Sequence, residues 1–226
     1  MAASAPTRSL HRPASGLLWT PFLLLCIIGA AAAIRRIAVL LLPPSASSAP
    51  AAMQALDDHF TPHKGLLLAH LFPALAFVLI LPAWFSQHIR ARAYLHRSVT
   101  MALFLLGAII GITALLLSSN PVGGVTEQSA VLLYDAIFLF SLARAFAAFV
   151  SHHIKTHRIW MMRAIAVILG LAATRPVMGV FFATASRTNL TPHQFFGIAF
   201  WTGFTLTYLA GELYLRMSGG KEGTPA

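Results

Sequence analysis

The sequence predicts an all-α integral membrane bundle of six transmembrane helices, and three observations carry that expectation. Of 226 residues, 58% are hydrophobic and only 10% are charged, against roughly 45–50% and 25% in an ordinary soluble domain. The mean hydropathy of +0.75 is spread over several runs, each approaching the roughly 20 residues that cross a bilayer. Sixteen Lys and Arg against six Asp and Glu give a net charge of +10, and the basic residues mostly flank the runs. In a soluble protein that excess would point to nucleic acid. Beside apolar spans it marks helix boundaries, so no nucleic-acid partner is expected. The single cysteine, Cys26, excludes an intramolecular disulfide and cysteine-based zinc or iron–sulfur sites.

The helices are expected at about 16–34, 64–86, 97–118, 128–151, 159–183 and 192–216, each long enough for one crossing. The first follows a cytoplasmic tail, residues 1–15, and its apolar stretch is longer than the ~7–15 residues of a cleaved signal. An uncleaved signal anchor is therefore expected. Arg35 and Arg36 break the pattern, yet the residues up to Leu42 continue apolar, so this helix can extend with its arginines snorkelling outward. Pro43-Pro44 and a Ser/Ala-rich stretch to Pro50 then punctuate the chain. The second helix is preceded by Thr61-Pro62-His63 and the sixth by Thr191-Pro192-His193. Thr as N-cap and Pro in the first turn are start signals, and Gln194 completes a capping box. Capping explains the Thr and Pro and leaves the His unexplained.

The third and fifth helices open on related strings, Tyr94-Leu95-His96-Arg97 and Lys155-Thr156-His157-Arg158, followed at equal spacing by Met101 and Met162. This reads as two related hairpins in parallel orientation. The fourth helix follows Asn120-Pro121 and Gly123-Gly124, which mark a turn. Orientation follows from the basic residues. Arg8, Arg12, Arg90, Arg92, Arg97, Lys155, Arg158, Arg163, Arg216 and Lys221 fall on one side, against Arg35, Arg36, Lys64 and Arg187 on the other. That asymmetry puts both termini, including the tail 217–226, in the cytoplasm, and Trp19, Trp84 and Trp160 fall at the same boundary.

Four charges lie inside predicted spans: Asp135, Arg144, Arg175 and Glu212. Each costs about 2.5–3.5 kcal/mol at mid-bilayer on insertion scales unless it faces the bundle or a wet cavity. By helical rise, Asp135 and Arg175 share one depth, and Arg144 and Glu212 are a second candidate pair. Glu212 also reaches Arg216 one turn on. Structural ion pairs and a proton or anion path both use such groups.

Ten histidines are many for so apolar a chain. His59, His63, His70 and His193 form an outer layer, and His88, His96, His152, His153 and His157 an inner one. Neutral imidazoles on different helices at common depth can supply axial ligands to haem iron. His70 with His193 outside, and His96 with His157 inside, are therefore the candidate cofactor ligands, and haem b the candidate cofactor. A metal site at Asp57-Asp58-His59 with His63 is disfavoured because Pro62 interrupts the helical spacing. The sequence holds no His-Glu-x-x-His, no Gly-x-Ser-x-Gly and no phosphate-binding glycine loop, so hydrolase and nucleotide-enzyme readings have no support.

Lys64-Gly65 with His70, His96-Arg97, the string His157-Arg158-x-Trp160-Met161-x-Arg163, Arg175 and Glu212 together resemble a known family. It is the bacterial predicted-membrane-protein family called domain of unknown function twenty-three-oh-six, and the likeness covers about residues 60–216. The resemblance implies a multi-pass protein of the bacterial inner membrane and implies no reaction. Pro82-Ala83-Trp84 departs from the Gly-rich, Gln-bearing end of helix two expected in that family. Three functional readings stay open. One is a haem b electron-transfer protein working between quinone and a redox partner. Another is a small transporter or proton-coupled carrier using Asp135 and Arg175. The third is a non-catalytic scaffold in contact with the lipid bilayer.

Overall fold

A computed structural model of the chain describes residues 15–42, 58–59 and 61–219. The expected tail at 1–14, the Pro43–Pro50 segment, Asp57 and the last seven residues of the chain lie outside the described residues. Within them the regular structure is helical: α1 (Ser15–Leu41), a 3-10 turn (Thr61–His63), α2 (Lys64–Phe85), α3 (Gln87–Ala91), α4 (Ala93–Leu117), α5 (Gly124–Val150), α6 (Ile154–Thr188) and α7 (Pro192–Gly219).

The boundaries differ from expectation for physical reasons. α1 runs through Arg35-Arg36 without a break because Ala33, Ile37 and Leu40 on its far turns are buried in the bundle. α4, α5 and α6 begin at Ala93, Gly124 and Ile154, ahead of the expected 97, 128 and 159. Their polar first turns are helical, and hydropathy does not register a polar turn. The α5–α6 connection is tight because it closes as a Schellman motif: His152 N–H donates to the Phe149 carbonyl at 3.2 Å and His153 N–H to the Ala148 carbonyl at 2.8 Å. His152 takes the left-handed position with φ 60, a conformation that costs a side-chain-bearing residue about 1–2 kcal/mol. At the other end of α6, Asn189 with φ 53 ends the helix in the same way. The expected capping box of the last helix forms in part, with Thr191 N–H donating to Gln194 Oε1 at 2.9 Å.

Among the described residues, five helices are long and apolar enough to cross a membrane: Trp19–Leu41, Thr61–Phe85, Ala93–Leu117, Gly124–Val150 and Ile154–Thr184. α7 has the length, at 28 residues, but Gly197, Gly203, Gly211, three threonines, Glu212 and Arg216 dilute its apolar character. The dilution is a packing device. Small residues let backbones approach closely where lipid supplies no hydrophobic drive between helices, and Gly203 lies directly against Thr174 and Gly170 of α6.

Packing arranges the long helices as a closed ring with one addition. α1 packs on α2, α2 on α4, α4 on α5, α5 on α6, and α6 returns to α1; α7 lies in the groove between α5 and α6. α1 meets α6 closely enough that a methyl placed on Gly29 would sit 3.5 Å from Ala172 Cβ. Inside lie Phe77, Leu81, Leu103, Met161, Ala164 and Phe195, each at 0–1% exposure. Outside stand Ile27, Leu79, Leu105, Ile112, Phe140, Val180 and Leu206, an apolar girdle that water would not tolerate and lipid solvates. One end of the ring carries Trp19, Phe85 and His157, and the other carries Lys64, Asn120 and His193.

Candidate functional site at the His157 end

Four helices, α2, α4, α5 and α6, meet at this end because the two hairpins repeat one register. His96 is the fourth residue of α4 and His157 the fourth residue of α6. The long helix before each places an aromatic one residue before its end, Trp84 in α2 and Phe149 in α5. The ring of Trp84 lies 6.1 Å from that of His96 and 6.1 Å from that of His157. Phe149 and Phe104 stand 5.3 Å and 5.9 Å from His157. Both imidazoles thus neighbour one indole inside an aromatic wall.

The hydrogen bonding of this cluster is incomplete. His157 is 4% exposed and Trp84 5%. His157 Nδ1 lies 3.0 Å from the Ala145 carbonyl. A carbonyl only accepts, so Nδ1 carries the proton and Nε2 a lone pair. That Nε2, His96 Nδ1 and Trp84 Nε1 are all buried without a hydrogen-bond partner. Leaving a buried polar atom unpaired costs about 1–3 kcal/mol, so three in one cluster is an arrangement that a ligand would relieve. Imidazole lone pairs beside an indole donor can hold a metal-centred cofactor or a neutral acceptor group. Sequence reading takes Trp84 only as a boundary aromatic. Its place on the last turn before a His-opened helix is the signal that finds it.

His70 and His193 are placed differently. His70 Nδ1 lies 2.9 Å from Thr113 Oγ1, whose own proton goes to the Ile109 carbonyl at 2.6 Å, so the imidazole donates to the hydroxyl. His193 is exposed at the start of α7, beside the turn at Gly124, which has φ +62. α2 packs on α1 and α4, and α7 on α5 and α6, so these two histidines belong to different faces of the ring. His59 Nε2 donates to the Asn120 carbonyl at 3.2 Å.

The intramembrane charges pair otherwise than expected. Glu212 meets Arg163, not Arg144 or Arg216: Arg163 Nε and Nη2 donate to the two carboxylate oxygens at 2.5 Å and 3.2 Å. Helical rise gives depth alone, and it is the azimuth set by the close α6–α7 packing that selects Arg163. Arg144 lies over the ring of Trp160, 5.6 Å from its centroid, and Arg163 covers the same ring at 4.5 Å. Arg175 and Asp135 do not pair: Arg175 Nη1 donates to Met178 Sδ at 4.0 Å, and Asp135 is buried with its Oδ2 unpartnered. The residue that sequence reasoning missed is Glu127, buried in the first turn of α5, where it accepts the Gly123 N–H at 2.5 Å. A helix expected from 128 excludes it, although an acid at a helix N-terminus is a favoured partner for the free amides. No group of three or more His, Cys, Asp or Glu able to hold a metal ion occurs among the described residues.

A family model described as predicted membrane protein, DUF2306, matches residues 67–215. No curated protein and no solved structure matches the chain.

Proposed function

The chain belongs to the DUF2306 family of predicted membrane proteins, and on that premise we propose a haem b electron-transfer protein of the bacterial inner membrane. Its ligands are His96 and His157, and it works between a quinone and a redox partner. The observation that carries this reading is the cluster of buried, unpartnered ring nitrogens on His96, His157 and Trp84. The bond from His157 Nδ1 to the Ala145 carbonyl is the outer-shell contact that orients a ligating imidazole and raises the basicity of its free nitrogen. When bound, haem supplies one-electron iron chemistry. The chain's own part is to hold the two imidazoles and to exclude water with Phe104 and Phe149. A second haem at His70 and His193 is left out of the proposal, because those residues stand on helices that pack elsewhere. The carrier reading is left out as well, because Asp135 Oδ2 has no partner and the hydrogen bond of Arg175 goes to Met178.

The membrane arrangement proposed with it is six spans, both termini cytoplasmic. α7 supports the sixth span by running along α6 from the Gly203–Gly170 contact to the Glu212–Arg163 pair. The excess of Arg and Lys at the His157 end supports the orientation. A cysteine placed at Ser218 should react with a membrane-impermeant thiol reagent only after the cells are opened, and one at Thr191 in intact spheroplasts. Labelling of both from the same side would remove the sixth crossing.

The test of function is an absorption spectrum of detergent-purified protein, oxidised and then dithionite-reduced, after expression with a haem precursor. A Soret band with sharp reduced α and β bands, at about one haem per chain, is expected. His157→Ala should abolish it and His70→Ala should leave it in place. A folded but colourless wild-type protein would refute the haem assignment.

A further inference from the structure

On the lipid-facing side of α5, α6 and α7 two grooves lie end to end, and neither belongs to the histidine cluster. The first, about 360 Å³, is apolar for most of its length, walled by Leu133, Ile137, Phe140 and Tyr208, and it ends at Trp160 and Arg163. The second, about 310 Å³, lies at the α5–α6 turn, where Arg144, Ser151, His153 and Thr156 bring polar groups to its lining beside two alanines. Trp160 is the divider. Phe140 packs on its edge at 5.4 Å, and the guanidinium groups of Arg144 and Arg163 cover its ring.

The two arginines differ in their compensation. Arg163 shares its charge with Glu212 through two hydrogen bonds. Arg144 has no carboxylate within ion-pair distance among the described residues; its guanidinium has the Trp160 ring and the open groove that also holds Ser151 and Thr156. It stands six residues before the end of α5, about 9 Å along the helix, a depth that the side chain reaches out of by snorkelling toward phosphate level. Around the same mouth are His152, His153, Lys155 and Arg158, and Glu212 is already taken. The surface is cationic, pocketed and continuous with an apolar trough.

We propose that this pair of grooves is a binding site for one anionic phospholipid. Its phosphodiester bonds Arg144 with the Ser151 and Thr156 hydroxyls, and one acyl chain lies in the trough between Leu133 and Phe140. Arginine is suited to the role because its planar fork donates two parallel hydrogen bonds to a phosphate. Basic pockets between helices at the cytoplasmic side are where anionic headgroups are held. The trough selects a lipid over a free anion, and the uncompensated guanidinium selects an anionic lipid over a zwitterionic one. The site is independent of any haem.

The test is native mass spectrometry of the full chain released from micelles doped with phosphatidylglycerol or with phosphatidylcholine of the same acyl chains. Wild type should retain one phosphatidylglycerol and prefer it about tenfold, the scale of one charge-assisted phosphate contact. Arg144→Gln should erase the preference, Arg144→Lys should keep part of it, and Ile137→Trp, which fills the trough, should weaken retention with Arg144 intact. Arg158→Gln should change retention less than about twofold, as expected of a rim charge. If Arg144→Gln fails to give monodisperse protein, Arg144→Lys and Ile137→Trp decide the matter. Equal retention of the two lipids, unchanged selectivity in Arg144→Gln, or displacement of phosphatidylglycerol by inorganic phosphate alone would overturn the proposal.

Discussion

Gly203→Leu should destabilise the bundle by about 3 kcal/mol or more, the upper range for overpacking a filled interface. A Cβ at this position would stand 2.8 Å from the backbone nitrogen of Thr174 and 2.9 Å from the carbonyl oxygen of Gly170. Neither is the end of a flexible side chain, so the two helices must separate to admit it. Gly170 sits on the other side of the same contact, its own Cβ direction reaching 2.9 Å from Phe204 Cα. Separation would also strip the stacking of Tyr134 on Phe204, now 5.0 Å between centroids, and the Tyr134–Thr205 hydrogen bond of 2.7 Å. The measurement is denaturant or thermal unfolding in detergent, with Gly179→Leu as the comparison. Gly179 has nothing within 4 Å of its Cβ direction, and removing a glycine from a helix interior gains about 0.5–1 kcal/mol. Equal losses at 203 and 179 would show that the close α6–α7 crossing is not what holds α7.

Arg163→Leu should cost about 3 kcal/mol, and Glu212→Leu a similar amount, because each leaves an ion without its partner in an apolar surround. The pair is only partly screened, its side chains being 26% and 20% exposed, and lipid lies beyond it. The double variant Arg163→Leu, Glu212→Leu should recover most of the loss, since a buried ion pair exchanged for apolar residues is often close to neutral. A coupling larger than either single loss is the expected signature of the cycle. Additive losses would mean that the two residues act separately, Arg163 through the Trp160 face and Glu212 through a contact of its own.

Much of the fold was legible because the chain is a series of apolar runs separated by punctuation. Thr191-Pro192 marks the start of the last helix where it is observed, at Pro192. Less legible was whatever depends on azimuth. Depth can be counted from a helix end at a fixed rise, and that counting paired Asp135 with Arg175 and Glu212 with Arg144. Which way a side chain points around its axis is decided by neighbours far away in sequence. Gly203 and Gly211 bring α7 close on α6 and thereby turn Glu212 toward Arg163. Glu127 was lost for a different reason: a polar first turn carries no hydrophobic signal, so the helix was started one residue too late to include it. The candidate site was half readable. His96 and His157 stand out as His-Arg openings at matching places, but Trp84 joins them only once α2 and α4 are folded into a hairpin.

The closed ring has a temporal side. α1 leaves the ribosome before the other described helices, yet the surface that completes its burial, Ala172 on α6, is made only after four further helices. Until then α1 packs mainly on α2 among the described helices, and Arg36 is made before Arg175, which stands in its electrostatic field. The α2–α4 and α5–α6 hairpins can form as each is synthesised, from contacts close in sequence, whereas closure is a late and long-range event. Substitutions along the α1–α6 seam, such as at Gly29, should therefore lower the yield of assembled protein by delaying closure before they lower the stability of the molecules that do close.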